Sequence, residues 1–466
     1  MMALERDEIT SGPIPRTLAL LALPLFVQNL VQVLQQVIDT LWLGRHSLEA
    51  VAAVGINFPL TGLLAAVAIG VGVGTQVLVS QRVGADELAA GRRAAFNGTV
   101  LGLVVGAGTG LATWAVARDV VALFGAGAVV TEYAAAYLAV YALVFAVLAA
   151  SEALEAGFIG WGDTRAALYV NAVAVAVNVV VDPFLIFGWW IAPELGVAGA
   201  AAATGVGYGC GLVVGIAMAL RGRGEFSLSR EACTLEVADW REIVDIGWPN
   251  GGQHVSSQSA RVGMIWLVVL VGDAVGLAAF TIGARVSTVA FVPAMGLQQA
   301  AQSMIGQSLG AELPERARRT TWIGVAIASA GLCLVGAIQW LVPEPLSVLF
   351  VPGATAAELE VAAEYLRILA YGYWAIGATY LLQAGFNGAR RTRTSLVATL
   401  LQYWLVRLPI AAAAGLVLGT DVTGVFWAVT LSNVVAAIGL GWYYRYETSS
   451  GMNVRAADAA AVEAAG

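Results

Sequence analysis

Two carboxylic acids lie within long apolar stretches of this sequence, where charged side chains are rare. Asp39 follows a run of glutamines, while Asp182 follows Asn178 by one helical turn and precedes Pro183. An ionisable residue at membrane depth is a functional candidate, because its charge is costly there. Two carboxylates in one low-dielectric pocket repel each other, which favours binding of a proton or of Na⁺. Both acids also lie near the ends of their apolar stretches, so they could instead be interfacial and solvated.

Depth groups these two acids with further polar residues. Both acids lie a few residues before a glycine that ends their helix, and two more polar residues lie at similar depth in helices that enter from the same side. At about 1.5 Å per residue, all of them sit about 7–12 Å below one surface. The sequence therefore predicts a cation or proton site that comprises Asp39, Asn178, Asp182, Tyr137 and Thr204. Tyrosine is also common in interfacial belts, so Tyr137 fits that simpler interpretation equally.

A stripe of amides precedes Asp39 on the same predicted helix. Its members are Gln28, Gln32, Gln35 and Gln36. Steps of three and four residues put most of them on one helix face, which needs protein or water rather than lipid. The amides could hold neighbouring helices together, or they could line a cavity. We take Gln32 and Gln36 as candidates for a cargo cavity.

The composition is that of an integral membrane protein. Hydrophobic residues make up 59% and charged residues 12% of the 466 residues, against about 45–50% and about 25% in soluble domains. Apolar runs of about 20 residues recur along the chain, each long enough to cross a bilayer. Short alternating strands typical of a β-barrel are not found. We predict an all-α protein with helices near 16–43, 50–80, 91–118, 130–152, 164–188, 196–221, 241–271, 276–308, 315–342, 356–385, 393–418 and 422–446.

The arginines predict the orientation of these twelve helices. All 24 basic residues are arginine. With the N-terminus inside, nearly all loop arginines fall on the cytoplasmic side, and only Arg45 and Arg118 fall outside, as the positive-inside rule requires. The predicted order is a cytoplasmic tail (1–15), an N-lobe (16–221), a cytoplasmic linker (222–240), a C-lobe (241–446) and a cytoplasmic tail (447–466). We expect a multi-pass protein of the plasma membrane.

An internal repeat relates the two lobes. The segment from Ala156 to Arg165 recurs from Ala384 to Arg393, and Pro24 pairs with Pro249 at nearly the same offset. Both halves begin on the arginine-rich side, so the six-helix repeats are parallel and related by a pseudo-twofold axis along the membrane normal.

The second half replaces the acids with arginines. The repeat aligns Gln28, Gln32 and Gln36 with Gln253, Ser257 and Arg261, whereas Arg407 lies close to the equivalent of Asp182. These four C-lobe residues are further candidates for the cargo cavity. The arginines, with Arg285, could be structural, by capping carbonyls or pairing with acids such as Glu364. If Arg261 and Arg407 line the cavity, they favour anionic or zwitterionic cargo.

Several function classes are excluded or disfavoured. Without lysine there is no P-loop and no Schiff base. The two histidines, His46 and His254, form no metal motif, and the three cysteines are scattered. No GxSxG-like elbow or catalytic histidine pair indicates an enzyme. A channel is disfavoured by a single asymmetric ion site in a two-lobe repeat.

Four motifs together resemble the MATE (multidrug and toxic compound extrusion) family. They are the Leu23-Pro24 helix that ends in Asp39, the loop from Gly160 to Arg165, the run from Asn178 to Gly188, and the run from Gly196 to Ala201. The resemblance covers about residues 15 to 446. Acids on the first and fifth helices, without one on the seventh, are similar to the DinF-like branch, which has archaeal and bacterial members.

The resemblance implies a function and a mechanism. MATE proteins export small amphipathic compounds against H⁺ or Na⁺ by alternating access, and bend the first helix at a proline that matches Pro24. The resemblance implies a cation site at Asp39, Asn178 and Asp182, with Tyr137 and Thr204 nearby. We expect a monomer with no cofactor beyond the coupling ion and no nucleic-acid partner. The alternative is a flippase of lipid-linked oligosaccharide or peptidoglycan precursors from the same superfamily.

Overall fold

The chain is almost entirely helical. A computed structural model describes residues 6–223, 226–227, 232–350 and 353–465. In these ranges, ten helices are long and apolar enough to cross a membrane by length and composition. A helix satisfies its own backbone hydrogen bonds, which explains why so apolar a chain folds this way.

The first half of the chain supplies six long helices and one short one. They are α1 (Arg6–Ser11), α2 (Ile14–His46), α3 (Leu48–Gly84), α4 (Leu88–Ala122), α5 (Ala128–Trp161), α6 (Thr164–Phe187) and α7 (Val197–Arg221). Local signals set the boundaries of α6. The Asp163 side chain accepts a hydrogen bond from the backbone N–H of Ala166, and Gly188 ends the helix at a left-handed φ of 68°.

The second half contains more irregular helices. They are α8 (Val237–Gly310), α9 (Pro314–Leu341), α10 (Pro343–Phe350), α11 (Ala356–Ala370), α12 (Tyr373–Gly388), α13 (Thr392–Leu400), α14 (Leu408–Ala412), α15 (Val422–Ser449) and α16 (Met452–Ala465). Two π-helical segments, Leu401–Arg407 and Ala413–Val417, flank α14 and continue α13 as one rod.

Helix α8 consists of two arms that double back on each other. Asp273 has non-helical backbone angles, with φ 50° and ψ −152°. Asn250 and Gln298 would lie about 70 Å apart in a straight helix, yet both line one cavity. The chain therefore reverses at Asp273, within the predicted loop 272–275. Each arm of α8 makes one crossing, and α11 and α12 together make one. With these conventions, the described residues make twelve crossings in two lobes.

Several predicted boundaries differ from the structure. The predicted helix 130–152 continues to Trp161 as α5, because the Gly162 cap lies ten residues further on. The predicted helix 356–385 is broken at residues 371–372, between α11 and α12. Both predicted tails contain a helix, α1 and α16, and α8 begins inside the predicted linker 222–240. Arg230, with other parts of the linker and the two tails, lies outside the described residues.

The lobes share a core at one end of the molecule and separate at the other. One buried apolar cluster contains residues of both halves, such as Leu18, Val77 and Met304. Two further clusters each belong to a single half: one contains Leu43 and Ile186, the other Met264 and Phe426. The molecule is therefore joined at one end and divided at the other.

Helices α3 and α8 approach closely at the joined end. A Cβ at Gly74 would lie 2.1 Å from the Ile243 carbonyl oxygen, so only glycine fits there. Polar contacts between other helices also join the lobes here: the Gln81 amide of α3 donates to the Gly388 carbonyl of α12 at 2.8 Å, and the Ser303 hydroxyl of α8 donates to the Ile159 carbonyl of α5 at 2.7 Å.

Arginines predicted to be cytoplasmic gather at this joined end. The Arg82 guanidinium lies 2.7 Å from the carboxylate of Asp239, which is 1% exposed. Arg316 donates to the Ile9 carbonyl at 2.7 Å, and Arg6 donates to the Gly84 carbonyl at 2.9 Å. The last two contacts connect α1 to both lobes.

Candidate functional site

The two predicted acids meet between α2 and α6. The carboxyl groups of Asp39 and Asp182 lie within hydrogen-bonding reach of each other. Asp182 is fully buried, and no N–H or hydroxyl group of the described residues donates to either of its oxygens. A buried carboxylate normally receives such hydrogen bonds. A proton shared between the acids, or a hard cation bound by their oxygens, would satisfy both groups.

An amide network borders this pair. The side-chain amides of Gln35 and Asn178 lie 2.8 Å apart. With the Asn178 amide turned so that its NH₂ group faces α2, it donates to Asp39 Oδ1 at 3.2 Å, and its carbonyl accepts from the Thr204 backbone N–H at 3.1 Å. Helices α2, α6 and α7 therefore each contribute a polar group. Gln35 belongs to this network, although the prediction placed it only in the amide stripe.

Tyr137 lies beside the pair rather than within the network. It is close enough to both acids to interact electrostatically, but its hydroxyl makes no hydrogen bond with the described residues. Its ring stacks on Tyr141, with centroids 6.0 Å apart. The helix ends beyond the site carry an aromatic cluster, in which the ring centroids of Trp42 and Phe187 lie 6.2 Å apart.

Two prolines lie in the helices that carry the acids. Pro24 is buried within α2, which runs without interruption from Ile14 to His46. Pro183 lies inside α6 next to Asp182. Each proline lacks an N–H, so the carbonyl four residues earlier loses its helical donor.

A second pair of acids, Glu152 and Glu155, was missed by the sequence analysis because the fourth helix was ended at residue 152. Glu155 is 2% exposed and accepts hydrogen bonds from Gln28 at 2.8 Å and from Ser151 at 3.3 Å. The Glu152 carboxyl faces the Tyr208 hydroxyl. The signal was the continuing helical pattern up to the Gly162 cap.

The amide stripe divides into two roles. Gln28 and Gln35 connect α2 to α5 and α6. The side chains of Gln32 and Gln36 make no hydrogen bond with the described residues, and Gln36 is exposed. Neither of them lines the cavity that contains Asn250 and Gln298.

The other four cargo candidates line one cavity of about 440 Å³ in the C-lobe. Gln253, Ser257 and Arg261 lie along one face of the first arm of α8, at steps of four residues. Arg407 faces the same cavity from the end of the π-helical segment. The N-lobe acids and the C-lobe arginines thus occupy different lobes.

Comparison with known families identifies the family of this chain. The sequence profile of the MatE family matches residues 24–184 and 255–413, one match in each lobe. Together these matches cover more than half of the chain. The chain belongs to the MatE family. The two matched ranges agree with the internal repeat, and the resemblance predicted from the motifs is confirmed.

Relatives of this MatE protein match along nearly their whole length. A probable multidrug resistance protein NorM of Pseudomonas aeruginosa is 27% identical over 437 residues, which are 92% of this chain and 88% of the relative. A protein of Shewanella oneidensis described as an FAD transporter is 25% identical over 443 residues, 94% of this chain and 96% of that one.

Solved structures share the fold. A MOP superfamily transporter from Pyrococcus furiosus superposes with a TM-score of 0.89 at 22% identity, covering 97% of this chain and 99% of that one. The predicted twelve-helix, two-lobe architecture is therefore confirmed. The MatE protein is a multi-pass membrane transporter, whereas its assignment to the DinF-like branch stays a prediction.

Proposed function

We propose that this MatE protein is a secondary active exporter of small amphipathic compounds, driven by inward movement of H⁺ or Na⁺. Two kinds of observation support the proposal. Several relatives are named multidrug resistance proteins. The N-lobe brings the fully buried Asp182 together with the half-buried Asp39 on two proline-bearing helices.

The observation that carries the proposal is the environment of Asp182. Its side chain is fully buried, lacks a hydrogen-bond donor among the described residues and faces a second carboxyl group. Two ionised carboxylates in that position repel each other at low dielectric. A proton or Na⁺ relieves this repulsion, and carboxylate and amide oxygens are suitable ligands for a hard cation. Asp39, Asn178 and Asp182 would hold the ion, with Thr204 and Tyr137 adjoining.

Coupling requires that ion and cargo favour different states. In the proposed cycle, an ion enters from outside and neutralises the two acids, and α2 then rearranges about Pro24. The lobes release cargo outward before they rock back. The core shared by both lobes at one end supports this cycle, because the opposite end has separate cores that can close.

The test is transport by the purified protein in proteoliposomes. Uptake or release of rhodamine 6G, a cationic dye, and separately of fluorescein, an anionic dye, is measured with a Na⁺ gradient alone and with a pH gradient alone. We expect one gradient to drive transport in the wild type, and neither to do so in Asp39→Asn or Asp182→Asn. Asp119→Asn, which removes an exposed acid of α4, is the matched control and should transport normally. Gradient-driven transport that persists in both site variants would refute the ion site.

The flippase of lipid-linked precursors is the second candidate. It is favoured by one observation, the two arginines in the C-lobe cavity, which suit a lipid diphosphate. Translocation of a fluorescent polyprenyl diphosphate across proteoliposomes, followed by quenching of the outer leaflet, tests it. Movement of this lipid without movement of dyes would favour the flippase.

We further propose a monomer in the plasma membrane with both termini in the cytoplasm. The gathering of arginines at the joined end supports this orientation, because positive residues are retained inside.

A further inference from the structure

The C-lobe cavity has an unusual charge balance for a membrane interior. Two arginines, Arg261 and Arg407, contribute to its lining, whereas no aspartate or glutamate is among the described lining residues. A cavity lined by one sign of charge with apolar walls attracts the opposite sign.

Arg261 brings a charge that the protein itself does not neutralise. Its guanidinium makes no hydrogen bond or ion pair with the described residues. Its side chain is exposed to the cavity, and charged residues within membrane segments face either a partner or a water-filled space. Arg261 therefore presents its charge to the cavity, without the partner in the described residues that a merely structural arginine would have.

Arg407 is held in a fixed position by neutral groups. Its Nε donates to the Ser432 hydroxyl at 2.8 Å, and its Nη2 donates to Asn433 Oδ1 at 2.6 Å. The guanidinium also lies 4.2 Å from the centre of the Tyr403 ring. These contacts orient Arg407 without cancelling its charge, and its Nη1 makes no hydrogen bond with the described residues.

The backbone around Arg407 is irregular where it faces the cavity. Leu401–Arg407 is π-helical, and such segments are frequently found at functional sites. Tyr403, Gln402 and Arg407 of this segment all contribute to the lining. The irregular segment thus presents three polar or aromatic side chains to one space.

The remaining walls combine aromatic rings with amides. The Tyr365 ring stacks on Phe280, with centroids 5.7 Å apart and planes inclined by 18°. Both arginines are close enough to Tyr365 to act electrostatically on its hydroxyl, so both charges lie near one end of this aromatic wall. A volume of about 440 Å³ lies in the size range of small-molecule sites.

We infer that the C-lobe cavity binds an organic anion with a flat aromatic body, whose carboxylate or phosphate group lies between Arg261 and Arg407. Arginine suits both anions, since its planar fork pairs with carboxylate and phosphate oxygens. The inference rests on the proposed export function for its physiological meaning. Binding itself requires neither an ion gradient nor the N-lobe acids.

Equilibrium binding to the purified full-length protein tests the inference. Fluorescein and rhodamine 6G share a flat xanthene body but carry opposite charges, and their fluorescence anisotropy reports binding. We expect fluorescein to bind about tenfold tighter or more than rhodamine 6G. Competition by 1-naphthoate and by 1-naphthyl phosphate then distinguishes the two anionic groups.

Matched variants locate the binding site. Arg261→Gln and Arg407→Gln should each weaken fluorescein binding about tenfold or more, as expected when one partner of a charge pair is truncated. Arg285→Gln is the control, because Arg285 is an exposed arginine of α8 that does not line the cavity. Arg261→Gln removes no hydrogen bond or ion pair with the described residues, so it separates loss of binding from misfolding.

The possible outcomes are distinct. Rhodamine 6G that binds as tightly as fluorescein, or fluorescein binding unaffected by Arg261→Gln, would overturn the inference. Fluorescein binding retained in Asp182→Asn supports it even where neither gradient drives transport by the wild type. That last result would refute the proposed coupling and leave the anion site intact.

Discussion

At the scale of single residues, the site depends on how buried polar groups are satisfied. Asn178 and Glu155 are both buried and have hydrogen-bond partners on other helices. Asp182 is equally buried, yet only another carboxyl group faces it. Among these three residues, only Asp182 has no hydrogen-bond donor for either side-chain oxygen in the described part of the chain, which is why we propose it as an ion ligand.

Replacing Asp182 by asparagine should stabilise the protein. The change removes a buried charge that has no donor, so we expect a gain on the order of 1–3 kcal/mol in the absence of the coupling ion. Thermal unfolding in detergent, with NaCl or choline chloride at several pH values, measures it. The variant should also lose any stabilisation that the wild type gains from Na⁺ or from lower pH. A destabilised variant that keeps this ion dependence would contradict the assignment.

Gln28 and Gln32 should behave differently although they lie one turn apart. Gln28→Leu leaves Glu155 without its donor on α2, which we expect to cost about 1–3 kcal/mol. Gln32→Leu breaks no side-chain hydrogen bond of the described residues and should change the unfolding temperature little. Parallel thermal unfolding of both variants compares them. Equal losses of stability in both variants would show that the Gln28–Glu155 hydrogen bond does not account for the loss in Gln28→Leu.

At the scale of helices, close packing of α3 on α8 joins the lobes. The contact depends on glycines, because backbone atoms of one helix occupy the space where a side chain of the other would begin. If the lobes rock as proposed, the packed helices must slide or part at this contact as units.

Alanine substitutions of Gly74 and Gly108 should change the stability of the protein in opposite directions. Gly74→Ala places a methyl group against the Ile243 backbone, so we expect a loss of about 1–3 kcal/mol. Gly108→Ala lies in α4 with open space around it, and should gain about 0.5–1 kcal/mol from reduced backbone entropy in the unfolded chain. Unfolding temperatures in detergent check both. A stabilised Gly74→Ala variant would show that the α3–α8 contact can shift freely.

At the scale of the whole molecule, the lobes meet at the arginine-rich end and have separate cores at the other. This arrangement corresponds to a cavity that opens away from the arginines. Since arginine is retained on the cytoplasmic side, the cavity should open outward.

Labelling from one side of the membrane tests this arrangement. In a variant lacking the three native cysteines, Ser257→Cys lines the cavity and should react with an impermeant thiol reagent added outside sealed cells. Ser303→Cys, at a fully buried interface position, should remain unlabelled from that side. Labelling of Ser257→Cys from the cytoplasmic side only would reverse the assigned orientation or state.

Sequence alone determined the features that follow from composition and periodicity. Apolar runs of bilayer length and the repeat led to twelve crossings in two parallel lobes, since these depend on local hydrophobicity. The family motifs and the pairing of Asp39, Asn178 and Asp182 were also predictable, because helical rise converts sequence position into depth. The break at Tyr371 was not, because the apolar sequence continues across it, whereas the continuation of α5 past Glu155 had a helical pattern that the prediction overlooked.

Only the tertiary structure decided which polar groups face which. Gln28 and Gln32 are alike in sequence, but one meets Glu155 and the other meets no described side chain. Arg261 and Arg407 were equally compatible with structural pairing, and their partners or lack of them emerge only when five helices enclose one cavity. The physical reason is that the hydrogen-bond and ion-pair partners of a charged group lie far away in sequence. The cost of removing that group from water can instead be inferred from the apolar residues around it in the sequence.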